Sequence, residues 1–166
     1  MSEARNQSIQ LYELLLQLGY GPMRRRSEIC QFKFEDLQHH GNHRHALLLR
    51  HSKIDQYNQG KIIPISGELS EMISSWSLVI DQDSGYILRS LKRNLSTKPS
   101  LTPASINHIL KSLQKLAGLN QIGVLSGHSF RVGAALDLLN KNIPLEKIML
   151  RGSWKSEASA MKYLQS

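Results

Sequence analysis

Near the carboxyl end of this chain stand His128, Arg131, Trp154 and Tyr163, in that order, within SGHSFRVGAALDLLNKNIPLEKIMLRGSWKSEASAMKYLQS. A histidine and an arginine three residues apart share one face of a helix. An indole donor follows, and then a tyrosine almost at the terminus. Together they offer donors for the nonbridging oxygens of a phosphodiester and a hydroxyl able to attack its phosphorus. Cutting such a bond without a metal also requires an acid that protonates the departing sugar oxygen. Arginine suits the charge-stabilising role because its planar fork holds two phosphate oxygens and stays charged. A tyrosine hydroxyl, with an unperturbed pKa near ~10, needs neighbouring positive charge or a base to become reactive. A second arginine can come from Arg24, Arg25 or Arg26 in MRRRSEICQFKFEDL, and Lys53 can reach a leaving oxygen.

The elements that must position these groups read as mostly helical. Leu11, Leu14, Leu15 and Leu18 sit at helical spacing over residues 9–18, and Gly19, Gly21 and Pro22 end that helix. A second helical stretch is predicted from Arg26 to Phe32. His45–Arg50 and Lys61–Ile65 read as short strands, joined through the polar turn SKIDQYNQG that carries Lys53. From Gly67 onward the chain reads as mostly helical, with helices predicted over 68–80, 103–117, 129–141, 145–150 and 156–164. Thr102 caps the second of these, with Pro103 in its first turn. The expected fold is mainly α (α+β): a helical bundle with a small antiparallel sheet or hairpin near residues 34–65.

At 166 residues the chain suffices for one packed domain and is short for two. A formal net charge of +8 favours a polyanionic partner. No apolar run is long enough to span a bilayer, and MSEARNQSIQ lacks the apolar stretch of a secretory signal. The single cysteine, Cys30, excludes an intrachain disulfide and reads as a small buried residue in a helix. Nucleic acid in the cytoplasm is the expectation.

The arrangement resembles the tyrosine recombinases (phage integrases), most closely the Cre-like branch, from about Tyr12 to Tyr163. The family's arginine–any–small–acid–aliphatic pattern falls on Arg25-Arg26-Ser27-Glu28-Ile29. The resemblance thereby selects Arg25 and makes Glu28 the acid that braces the site. Its hairpin lysine looks like Lys53. Its histidine–any–any–arginine motif is His128-Ser129-Phe130-Arg131, between Ser126-Gly127 and Val132-Gly133-Ala134-Ala135. The position that is histidine or tryptophan in the family is Trp154, and the nucleophile is Tyr163 in Met161-Lys162-Tyr163. The resemblance implies a site-specific recombinase or integrase that breaks and rejoins DNA through a 3′-phosphotyrosyl link, with no metal, ATP or other cofactor. It narrows the partner to double-stranded DNA, with a nucleoid-associated location, and implies self-association on DNA, which in the family forms a tetrameric synapse.

Residues 1–166 are expected to form a single catalytic domain of the carboxy-terminal type, without the family's amino-terminal DNA clamp. Two other readings fit the same residues: a non-catalytic DNA-binding regulator or relic, and supercoil relaxation of the type IB topoisomerase kind. Arg24, Arg26, Arg89, Lys92, Arg93 and Lys98 are candidates for phosphate contact. The histidines His39, His40, His43, His45 and His51 straddle a turn without a cysteine or carboxylate partner, and read as a partly protonated loop near DNA rather than a metal site.

Overall fold

The computed structural model describes residues 2–52, 57, 59–119, 123 and 125–164; the side chains of Gly127, His128 and Tyr163 also lie outside the described residues. The chain runs α1 (Glu3–Tyr20), α2 (Arg26–Ile29), a 3-10 turn (Phe34–Asp36), β1 (Leu37–His40), β2 (Arg44–Leu49), β3 (Lys61–Ile65), α3 (Gly67–Ile80), α4 (Pro103–Leu116), α5 (Gly127–Asn140), α6 (Leu145–Gly152) and α7 (Glu157–Leu164). Local chemistry sets most of these boundaries. Ser2, Ser66 and Thr102 cap α1, α3 and α4 by accepting from the backbone N–H three residues on, at 3.1–3.3 Å. Pro103 at the start of α4 costs nothing, because that N–H has no helical partner anyway.

The strands form one antiparallel sheet in the order β1-β2-β3, with Leu37 opposite Leu47 and Leu47 opposite Ile63. β1 is a strand the sequence reading does not contain. Its residues, Leu-Gln-His-His, carry little strand signal, and the pairing with β2 supplies the order instead. The predicted helix from Arg26 to Phe32 stops at Ile29, with Cys30 as its cap rather than a helical residue. The chain is drawn straight there because the Phe32 carbonyl accepts from Ile87 N at 3.0 Å and Lys33 bridges Tyr86. Residues 81–102, which lie between the predicted helices, hold that bridge and a second one between Leu91 and Thr97.

Two apolar clusters organise the molecule. The larger takes Leu11, Leu14, Leu15 and Leu18 of α1, Leu47 and Ile63 of the sheet, Ile73 and Trp76 of α3, Ile106 and Leu110 of α4, and Phe130 of α5. The Trp76 indole is satisfied by the Ile87 carbonyl at 2.9 Å. α1 and α5 approach closely because Gly19 has no side chain; a Cβ there would fall 2.6 Å from the Phe130 ring. The smaller cluster joins α5, α6 and α7 through Ala134, Ala135, Ile148, Trp154 and Ala160, and it includes Met23 from the α1–α2 connection. At the base of the β2–β3 connection, Arg50 donates to the buried Asp36 carboxylate at 2.7 Å, tying that stem to the 3-10 turn.

Candidate active site

The three adjacent arginines meet three different fates. Met23 takes a left-handed conformation (φ 58°), which turns its side chain into the smaller cluster and starts the connection to α2. Arg24 then points inward and is 1% exposed. Its guanidinium donates to the Pro22 carbonyl at 2.9 Å, the Arg151 carbonyl at 2.5 Å and Ser153 Oγ at 3.3 Å. It also lies 3.7 Å from the Glu28 carboxylate. Burial lowers its pKa, opposed by the Glu28 charge. Arg25 caps α2, is half-buried, and its guanidinium has no hydrogen-bond or ion-pair partner among the described residues. Arg26 is exposed.

Glu28, 3% exposed, accepts from Arg25 N at 3.0 Å, which closes the first turn of α2 and fixes the backbone from which Arg25 projects. Its ion pair goes to Arg24 instead. The carboxylate thus serves both the arginine that is buried and the one left available.

α5 begins at Gly127, and Ser126 N donates to Ser129 Oγ at 3.1 Å across its first turn. His128 stands in that turn, three residues before Arg131. Arg131 is 2% exposed; it donates to the Gly152 carbonyl and places its guanidinium carbon 4.6 Å from the centre of the Trp154 ring. Gly152 ends α6, and Ser153 caps it in a left-handed conformation (φ 60°) that swings Trp154 back under Arg131. A side chain at Gly152 would meet the Trp154 ring at 2.5 Å. Tyr163 lies in the last turn of α7, which packs on α5 and α6.

Glu28, through Arg24, and Arg131, through Gly152 and Trp154, therefore both reach the α6–α7 turn, and Arg25 projects from the turn of α2 that Glu28 closes. Lys53, and the side chains of His128 and Tyr163, lie outside the described residues. Two of the expected DNA contacts are corrected by burial. Arg24 is consumed inside the protein, and Arg89 is folded against its own loop, donating to Tyr86 O at 2.6 Å and to Ser84 O beside the Phe34 ring. Arg26, Lys92, Arg93 and Lys98 are exposed, the last three on a loop closed by the bonds from Lys92 N to Ser96 O and from Lys98 N to Ser90 O.

Lys61 and Ser153 meet beside these residues, though neither stands out in the sequence by type or spacing. Lys61 Nζ donates to Ser153 Oγ at 2.8 Å, and desolvation, then the nearby Arg24 charge, lower its pKa. Nothing local in the sequence announces this contact, since the partners come from β3 and the end of α6. In the histidine group, His39 and His45 face each other across β1 and β2 with Nδ1 atoms 3.0 Å apart, and His40 meets Gln38. Among the described residues no three ligand-type side chains come together, and no helix is long and apolar enough to cross a membrane.

The family model described as the phage integrase family matches residues 1–166. An integrase/recombinase described as a XerD homolog, from Selenomonas ruminantium, is 29% identical over 158 residues, covering 91% of this chain and 46% of the relative. The recombinase Cre of Escherichia phage P1 is 23% identical over 165 residues, covering 91% of this chain and 48% of its own length. Among solved structures, the XerH site-specific recombinase bound to its difH substrate, a pre-cleavage complex, superposes with a TM-score of 0.72 at 18% identity, over 98% of this chain and 44% of that one. The chain spans a little under half the length of these relatives.

Proposed function

The chain belongs to the phage integrase family, the tyrosine recombinases, and on that premise we propose that it carries the strand-cutting site of a site-specific DNA recombinase. The observation that carries the reading is the set of contacts by which Arg24 ties Glu28, in the turn from which Arg25 projects, to Arg151 and Ser153, beside the Gly152 carbonyl that Arg131 holds. Arg25, without a protein partner among the described residues, suits a guanidinium reserved for a phosphate.

In this mechanism Tyr163 attacks the scissile phosphate of duplex DNA, forming a 3′-phosphotyrosyl bond and freeing a 5′-hydroxyl. Arg25, Arg131, His128 and Trp154 donate to the nonbridging oxygens as charge builds on the five-coordinate phosphorus. Lys53 protonates the leaving 5′ oxygen. A 5′-hydroxyl from another strand reverses the chemistry and completes the exchange, with self-association bringing the strands together. The phosphoester bond is exchanged rather than hydrolysed, so the cycle is balanced without ATP. Arg26, Lys92, Arg93 and Lys98 supply phosphate contacts outside the reacting centre.

The test is a nicked duplex whose cut end diffuses away, mixed with the protein at low salt and run on a denaturing gel. Wild type gives a covalent protein–DNA band and Tyr163→Phe gives none. A band that survives Tyr163→Phe refutes the nucleophile. Absence of any band with wild type, despite measurable DNA binding, refutes the strand-cutting reading.

A further inference from the structure

The turn that seats Trp154 is held by more cations than catalysis by the arginines, histidine and tryptophan requires. Arg131 holds the Gly152 carbonyl, Arg24 holds the Arg151 carbonyl and Ser153 Oγ, and Lys61 reaches across from β3 to the same Ser153 Oγ at 2.8 Å. A hydroxyl oxygen has two lone pairs, so Ser153 accepts from both cations at once. Ser153 is an uncomfortable choice for its place: its left-handed backbone (φ 60°) favours glycine. Glycine there would relieve the backbone and abolish the bridge. Lys61 also opens β3, at the carboxyl end of the connection that contains Lys53.

We propose that Lys61 is a positioning residue for strand cleavage, acting through Ser153 to lock the Gly152–Trp154 turn to the strand that follows the hairpin. The proposal rests on the strand-cutting reading for its effect on rate, and on the geometry alone for its effect on Trp154. Lys61 fixes one side of Ser153 and the buried Arg24 fixes the other, so the indole that packs beneath Arg131 cannot drift with α6. A phosphate ligand would behave differently. Its removal weakens DNA binding and lowers the salt dependence, whereas a positioning residue leaves both in place and slows the cut.

Arg24 is too deeply buried for a clean test, so the experiment uses Lys61→Met, Ser153→Ala and the double variant. Ser153→Ala keeps the same left-handed cost and removes only the acceptor. The full chain is labelled with 5-fluorotryptophan, which gives one fluorine resonance for Trp154 and one for Trp76, the latter reporting the main core. Both single variants are expected to shift the Trp154 resonance and leave that of Trp76 in place. Each should slow single-turnover adduct formation on the nicked duplex by about tenfold, the factor commanded by one charge-assisted hydrogen bond. The double variant should lose no more than either single one. The slope of log affinity against log salt should not change; a fall of about 0.9 on losing Lys61 would make it a phosphate contact and overturn the proposal. A Trp154 resonance unmoved by Ser153→Ala, or additive losses in the double variant, also overturns it. If wild type forms no adduct, the strand-cutting reading fails on its own, and the fluorine shifts still decide whether Lys61 holds the turn.

Discussion

Gly152→Ala isolates the packing of the site from its chemistry. Alanine gains up to about 1 kcal/mol of helical preference over glycine, and Gly152 is the last residue of α6, so that gain is partial. Against it, the new Cβ would stand 2.5 Å from Trp154 Cζ3, 2.6 Å from Cε3 and 3.3 Å from Met23 Cε. Carbon atoms rest about 3.5–4.0 Å apart, so the indole must retreat by roughly 1 Å. Overpacking of this kind costs about 1–3 kcal/mol, which leaves a net loss near 1–2 kcal/mol. For a chain of this size that is a fall in Tm of only about 2–8 °C. The effect on cleavage should be larger, because the retreat withdraws the ring that lies 4.6 Å from the Arg131 guanidinium and disturbs the carbonyl that Arg131 holds. Displacing a catalytic group by about 1 Å costs on the order of a hundredfold in rate. Single-turnover adduct formation at a temperature well below Tm, beside a thermal melt, reads both quantities. A variant that cuts at the wild-type rate would refute the seating of Trp154 on Gly152 as the determinant of the site.

Three further outcomes follow from the same contacts. Gly19→Ala places a Cβ 2.6 Å from Phe130 at the α1–α5 crossing and is expected to destabilise by about 1–3 kcal/mol, read as a lower urea midpoint with unchanged m. Glu28→Gln keeps an acceptor for Arg25 N but removes the charge beside buried Arg24, whereas Glu28→Ala removes both; Ala is expected to be worse by about 1 kcal/mol in urea and also to slow cleavage more. Burial pushes the Cys30 thiol up to about 12 from an ordinary value of 9.0. The folded state then holds its proton more tightly than the unfolded chain, so this stability is complete below about pH 9 and declines as pH rises from there toward 12. Comparing urea midpoints of wild type and Cys30→Ala across that range checks the sign: wild type alone should carry this alkaline loss.

Helices with strong local signals were legible from sequence. α3 and α4 begin at their serine and threonine caps, and the leucine stripe of α1 is the face that packs into the core. What was not legible came from distant pairing. β1 exists because β2 lies beside it, and α2 is cut short because Phe32 is claimed by Ile87. The site divides the same way. Arg131 and Trp154 can be proposed by type and spacing, but three consecutive arginines look alike in a sequence. Their separation into buried, half-buried and exposed depends on the positive φ of Met23, a residue whose type gives no warning of it. Lys61 and Ser153 become partners only once β3 has been laid beside the end of α6.

The two apolar clusters explain why polar contacts must carry the precision of the site. Arg25 and Glu28 are rooted beside the larger cluster, through Ile29 and Cys30, while Arg131, Trp154 and α7 are rooted in or beside the smaller one. Three of the six buried residues of the smaller cluster are alanines, which bury little area each. Apolar burial holds α6 against α5 without fixing a direction. Hydrogen bonds are directional where burial is not, and they concentrate at the junction between the clusters, on Arg151, Gly152 and Ser153. Met23 and Arg24 are neighbours in the chain and cross that junction in two different ways, one by packing and one by bonding. Thinning the smaller cluster with Ile148→Val should therefore lower stability with little effect on the rate of cutting, whereas Ser153→Ala should do the reverse. That opposition, measured on the same nicked duplex and in the same urea series, separates a site held by its core from one held by its hydrogen bonds.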